Sequence, residues 1–167
     1  MKPPDLQQIR AAVARDPGNA ELRYLLGAEL AQQKEYDAAV VEMSAALQLD
    51  PLLHFARFQL GLLYLTMAQP NQSLAIWAPL ESLGETAALK YFKRGLEALI
   101  RDDFDTCVGM LRQGIELNTQ NAPLNHDMTM VIDRVDEALV PVAQPIVASE
   151  RAHADLSQFS PPSSTRH

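Results

Sequence analysis

The chain has 167 residues, enough for one domain with a sizeable core. Its 21 acidic residues outnumber 14 Lys and Arg, and a net charge of −7 speaks against nucleic acid and against a polybasic membrane patch. A single cysteine, Cys107, rules out an internal disulfide and a cysteine-based zinc site.

Apolar residues make up 47% of the chain but aromatics only 6%, a mixture that suits closely packed helices better than a β-sandwich. The stretch from Met1 to Arg10 carries Pro3, Pro4, Asp5 and Arg10 without an apolar run, so it does not read as a secretory signal. The most apolar run, Leu60 to Ala68, is far short of the roughly 20 residues that span a bilayer. A cytoplasmic location without a membrane span is expected. Residues 1–19 predict one helix that closes on Arg15-Asp16-Pro17.

From Ala20 the chain repeats itself. Gly27, Gly61 and Gly95 stand at equal 34-residue intervals, and units that begin at Ala20, His54 and Ala88 agree column by column. Position 7 of each unit holds Leu26, Leu60 and Arg94, and position 11 holds Leu30, Tyr64 and Ala98. Position 17 starts each second helix with Tyr36, Pro70 or Phe104. Position 20 is small (Ala39, Ser73, Cys107), and position 24 is bulky (Met43, Trp77, Leu111). A fixed period of this length predicts stacked helix–turn–helix units. The glycine is expected to meet the small residue at 20, with bulky side chains at 11 and 24 filling the space between units. Asp103 predicts an N-cap, and Pro70 sits in a tolerated first-turn position. Pro79, inside the second helix of the middle unit, should kink that helix or end it before Gly84.

These columns resemble the tetratricopeptide repeat (TPR) family, whose pattern has Leu-Gly at 7 and 8, Tyr at 11, Ala at 20, an aromatic at 24, Ala at 27 and Pro at 32. Leu26-Gly27, Ala39, Ala46 and Pro51 match in the first unit, and Leu60-Gly61, Tyr64 and Trp77 in the second. The third keeps Gly95 and Leu111, while Gly114 and Thr119 replace the family's Ala and Pro. The usual bulky residue at position 4 gives way to Arg23, Arg57 and Tyr91. The resemblance implies an all-α solenoid of antiparallel helix pairs wound as a right-handed superhelix. Its units are residues 20–53, 54–87 and 88–121, and residues 1–19 form a degenerate leading half-repeat.

Beyond Asn121 the period fails, but Leu124, Met128, Val131, Ile132, Val135 and Leu139 keep helical spacing. A capping helix over 122–140 is expected, then a Pro- and Ser-containing tail over 141–167 that is partly disordered.

The resemblance also points to a site. Positions 2, 5, 9 and 12 of each first helix face the concave groove in the family. Here they give Glu21, Tyr24, Ala28 and Ala31, then Phe55, Phe58, Leu62 and Leu65, then Leu89, Phe92, Leu96 and Leu99. Two units thus offer an almost wholly apolar wall, with Tyr24, Phe55, Phe58 and Phe92 as the expected anchors. Lys93 is the one residue that keeps its charge among the positions with which family members clamp a C-terminal carboxylate; Tyr24, Ala28, Gln59 and Leu89 fill the others, so a carboxylate clamp is not expected. Two other readings of these residues stay open: packing between helices, and cover by the tail's own Ile146, Val147, Leu156 and Phe159.

No catalytic or metal constellation emerges. His54, His126, His153 and His167 fall at unrelated registers, Cys107 lies in the small interhelical column, and Asp102, Asp103 and Asp105 read as helix capping. An enzyme and a cofactor are not expected. The expected function is an adaptor of bacterial style that binds a largely hydrophobic peptide or helix of a protein partner. A secretion-type chaperone that shields hydrophobic client segments and a subunit that self-associates through groove and tail are the rivals.

Overall fold

A computed structural model describes residues 2–140; the tail over 141–167, with its expected disorder and its role as cover, lies outside the described residues. The described residues form eight α-helices and no strand. Helix α1 spans Leu6–Arg15, and three pairs follow: α2 (Ala20–Gln32) with α3 (Tyr36–Leu49), α4 (His54–Thr66) with α5 (Pro70–Trp77), and α6 (Ala88–Ile100) with α7 (Phe104–Leu117). Helix α8, Ala122–Leu139, packs on α7. The architecture is a TPR-type α-solenoid.

The repeat is visible in the chain's backbone chemistry. Each helix pair is joined through one residue in left-handed conformation, Lys34, Ala68 or Asp102, at φ of 63°, 58° and 59°. The amide of the next residue bonds back to the last turn of the first helix: Glu35 N–H to Leu30 O at 2.9 Å, Gln69 N–H to Tyr64 O at 2.8 Å, Asp103 N–H to Ala98 O at 2.9 Å. This is the Schellman closure, made here without its usual glycine. Asp5 caps α1 in a reciprocal capping box with Gln8, and Asn19, Asp103 and Asn121 cap α2, α7 and α8.

The odd residues at position 4 do one job. Arg23 Nε donates to Pro17 O at 2.9 Å, an Arg57 terminal nitrogen donates to Pro51 O at 3.2 Å, and the Tyr91 hydroxyl donates to Glu85 O at 2.9 Å. In every unit a long polar side chain ties the first helix to the turn that precedes it. Arg23 also reaches Glu42 at 2.9 Å on its partner helix.

The glycine column corrects one expectation. A Cβ on Gly27, Gly61 or Gly95 would run first into the position-24 side chain of its own unit: Met43, Trp77 or Leu111. The bulky residues at 24 therefore lie over their own glycine, as well as joining the core shared with neighbouring helices. Position 20 contributes a carbonyl beside the glycine, or in Ser73 a hydroxyl that donates to Gly61 O at 2.7 Å. Gly114 has a similar explanation: its missing Cβ leaves room for the Phe92 ring, which would otherwise come within 2.5 Å.

Pro79 ends α5 at Trp77, and the chain continues as a 3₁₀ segment, Ala78–Ser82. A proline lacks the donor for an α-helical bond and crowds the carbonyl four residues back. Ion pairs then hold this segment to α6. Glu81 accepts from Lys93 at 2.7 Å and from Arg94, Lys93 also meets Glu97 at 3.1 Å, and Lys90 meets Glu85 at 2.6 Å. Hydrogen bonds from Arg94 and then Lys93 pull the Glu81 carboxyl from its ordinary 4.5 down to about 2. A lowered folded value means stability present above the ordinary range and lost as pH falls toward 2. The melting temperature should thus drop more steeply between pH 5 and 2.5 in the wild type than in Glu81→Gln. Glu81 is 45% exposed, so solvent screens part of the effect. Parallel melting curves for the two proteins would show that these pairs do not fasten the segment.

The core has two parts. Ile9, Leu26, Leu30, Met43, Leu60 and Leu63 gather α1 to α4, while Phe58, Leu65, Trp77, Phe92, Leu111 and Met128 gather α4 to α8. Helix α4 is therefore buried on two sides.

Candidate functional site

The structure divides the residues expected to make the partner-binding groove: Tyr24, Phe55, Phe58, Leu62, Leu65, Leu89, Phe92, Lys93 and Leu96. Phe58, Phe92 and Leu96 are 0% exposed and Leu65 is 1% exposed, so none can offer surface to a partner. This corrects their assignment as groove residues. The reason lies in how α4 and α6 meet: the Phe58 ring stacks on Trp77 with centroids 5.9 Å apart, and Phe92 closes the other side at 6.1 Å. Position 5 of these units lies on the seam between neighbouring first helices. Lys93 also leaves the groove, since its ammonium is turned to Glu81 and Glu97 and the residue is buried.

Tyr24, Phe55, Leu62 and Leu89 remain half-buried. Leu62 and Leu89 pack against the second core. Tyr24 and Phe55 meet edge to face, centroids 6.0 Å apart and planes at 82°, which fixes both rings. Burial pushes the Tyr24 hydroxyl up to about 12, so that ring is neutral across the physiological range.

Two open clefts flank Phe55 and share it and His54 as their common wall. One, about 480 Å³, lies between α2 and the α3–α4 turn and is lined by Tyr24, Leu25, Leu52 and Leu53. The other, about 420 Å³, runs past Leu89 to Leu124 at the start of α8, with the buried Phe92 ring beneath its floor. Each is at the small end of the range of ligand pockets, so each admits a side chain or two rather than a folded domain. Among the described residues, Glu21 is the one carboxylate in either lining, while Asn118, Gln120 and Asn121 edge the second cleft. His54 Nδ1 is buried in the shared wall without a hydrogen-bond partner among the described residues.

The sequence reading missed Leu25 and Leu52, which are 40% and 74% exposed and line the first cleft. The signal was Leu52-Leu53 directly after Asp50-Pro51: a turn is ordinarily polar, and this one is not.

Other chemistry finds little support. Burial first, then the charge of Asp103, pushes the Cys107 thiol up to about 11, which suits a packing role. Among the described residues, no three His, Cys, Asp or Glu side chains converge on a point that could hold a metal ion, and no helix is long and apolar enough to cross a membrane.

No protein-family profile matches the chain, and no curated protein matches it. Solved structures do. A structure described as MamA 41-end from Desulfovibrio magneticus RS-1 superposes with a TM-score of 0.55 at 14% identity, over 81% of this chain and 85% of that one. A structure described as the MamA RS-1 ArsTM double mutant gives 0.57 at 16% identity, over 92% and 80%. Likeness at this level of identity concerns the fold alone.

Proposed function

We propose that this chain is a protein-interaction scaffold whose docking surface is the two-lobed apolar cleft around Tyr24, Phe55 and Leu89, taking an apolar segment of a protein partner. The observation that carries the reading is the exposure of Leu25 and Leu52 beside a fixed aromatic pair. Tyr24, Leu25, Leu52, Leu53, Phe55 and Ala56 line one cleft in a chain that is otherwise well supplied with charge. The solenoid supports it as well, since repeat units are rigid platforms whose inner faces are suited to extended ligands. With the buried residues removed from the site, the surface is narrower than a full groove. It suits an extended strand or one face of a helix that inserts a few side chains.

The test is a double substitution at exposed positions, Leu25→Asp with Leu52→Asp. A partner recovered by crosslinking and mass spectrometry should bind this variant at least tenfold more weakly, about 1.4 kcal/mol, with an unchanged melting temperature. Val41 on α3 is 64% exposed and belongs to neither cleft lining, so Val41→Asp serves as the control and should bind normally. Loss of binding in the control but not in the cleft variant moves the docking surface elsewhere.

A further inference from the structure

We infer that the partner segment is cationic: an apolar anchor seated in the first cleft, with a Lys or Arg beside it that meets Glu21. This rests on the docking function proposed above and specifies its ligand. Among the described residues, neither cleft lining contains Lys or Arg, and Glu21 is the one carboxylate. Its side chain is exposed and has no ion-pair or hydrogen-bond partner among the described residues. An acid in a first turn suits the helix dipole. Yet Asp37 and Asp105, which hold that place in α3 and α7, enter neither cleft.

The unit around Glu21 strengthens its field. Residues 20–53 carry Glu21, Glu29, Glu35, Asp37, Glu42 and Asp50 against Arg23 and Lys34, so a net −4 of the chain's −7 falls on them. Arg23 is already held by Glu42 and by Pro17 O. A second carboxylate stands at the turn that carries the most exposed lining leucine: Asp50 Oδ1 accepts from the Leu52 N–H at 2.9 Å. At physiological salt such charges act over about 8 Å, so carboxylates at the rim bear on whatever fills the cleft.

Covering the cleft strips water from Glu21. Beneath a purely apolar segment the carboxylate loses hydration without replacement, and beneath an acidic one it is also repelled. A Lys or Arg in the segment replaces the lost water, and the acidic unit steers it in. The second cleft makes no such demand, since its polar edge is the uncharged Asn118, Gln120 and Asn121. The linings thus set a direction along the ligand, with the cation over the first cleft. An exposed pair of this kind adds up to about fivefold in affinity.

A displayed library of random peptides, selected on the full-length protein and read by sequencing, tests the inference. Recovered peptides should be enriched in large apolar residues, with Lys or Arg beside them at least twofold above the unselected library. On Glu21→Lys the apolar enrichment should remain while the cation excess gives way to Asp and Glu. Asp37→Lys makes the same charge change at an exposed position outside both linings and should keep the cation excess. Leu25→Asp with Leu52→Asp should remove the apolar enrichment itself. Apolar peptides recovered without a cation excess overturn the inference and leave the docking cleft standing. A cation excess that survives Glu21→Lys, or that Asp37→Lys abolishes equally, overturns it too. If no apolar enrichment appears on the wild type, the docking cleft falls and the inference falls with it.

Discussion

Gly61→Ala should destabilise the protein by about 3 kcal/mol, at the upper end of overpacking penalties, although alanine is the better helix former by about 1 kcal/mol. The added methyl would overlap Nε1 and Cε2 of Trp77 outright. The indole cannot yield, because it is 0% exposed, stacks on Phe58 and donates its N–H to Phe58 O at 3.0 Å. Moving it breaks that bond and leaves a buried donor unpaired. The same substitution elsewhere in the column should grade with what lies above the glycine. Gly95→Ala meets Leu111 Cδ2 at 2.6 Å beside the Cys107 carbonyl, and a branched side chain against backbone gives little, so an intermediate cost of about 1–2 kcal/mol is expected. Gly27→Ala meets Met43 Cγ at 2.6 Å beside the Ala39 carbonyl at 3.1 Å; an unbranched thioether gives more readily than leucine, so the smallest cost of the three, up to about 1 kcal/mol, is expected. Urea unfolding of the three variants gives the order. The clash itself is isolated by a cycle with Trp77→Leu, a background in which most of the cost of Gly61→Ala should vanish. If Gly61→Ala proves no worse than Gly27→Ala, the ring does not sit where the contact between positions 8 and 24 requires.

The period was legible because the contact that enforces it is local to each unit. A glycine under a large side chain recurs wherever the unit recurs, and Gly27, Gly61 and Gly95 report it three times. Pro79 was legible for a similar reason, since its effect depends on its own backbone and not on neighbours. Phe58 and Phe92 were not. A helical stripe shows that a residue faces its neighbours, but the open face of a solenoid and the seam between adjacent first helices lie only about one residue's rotation apart. Which of the two a phenylalanine occupies depends on partners as distant as Trp77 and Gly114. Lys93 was opaque for another reason: its carboxylate partner Glu81 stands on a segment whose path exists only because α5 ends early. Arg23, Arg57 and Tyr91 share a task without sharing a residue type, so a column comparison registers them as departures.

Phe58→Glu is the substitution that separates the open face from the seam, and the protein should not fold with it. Removing the ring alone costs about 3–5 kcal/mol by loss of contacts and the cavity left behind. A carboxylate in its place adds several kcal/mol of desolvation, and the ring neighbours Trp77 and Phe92 supply no cation to offset it. Together these are comparable to the whole stability of an ordinary domain, roughly 5–15 kcal/mol. Far-UV circular dichroism should show most helix lost at about 25 °C, and any loss of partner binding in this variant is then a consequence of unfolding. Phe58→Leu keeps apolar volume and should remain folded with a lowered urea midpoint, while Leu52→Asp, at a 74% exposed position, should melt as the wild type does. A Phe58→Glu protein that keeps its helicity and its melting temperature would put that ring in water. The docking surface would then widen from the Tyr24–Phe55 cleft to the full inner wall of α4 and α6, because Phe92 packs on Phe58 and would follow it out of the core.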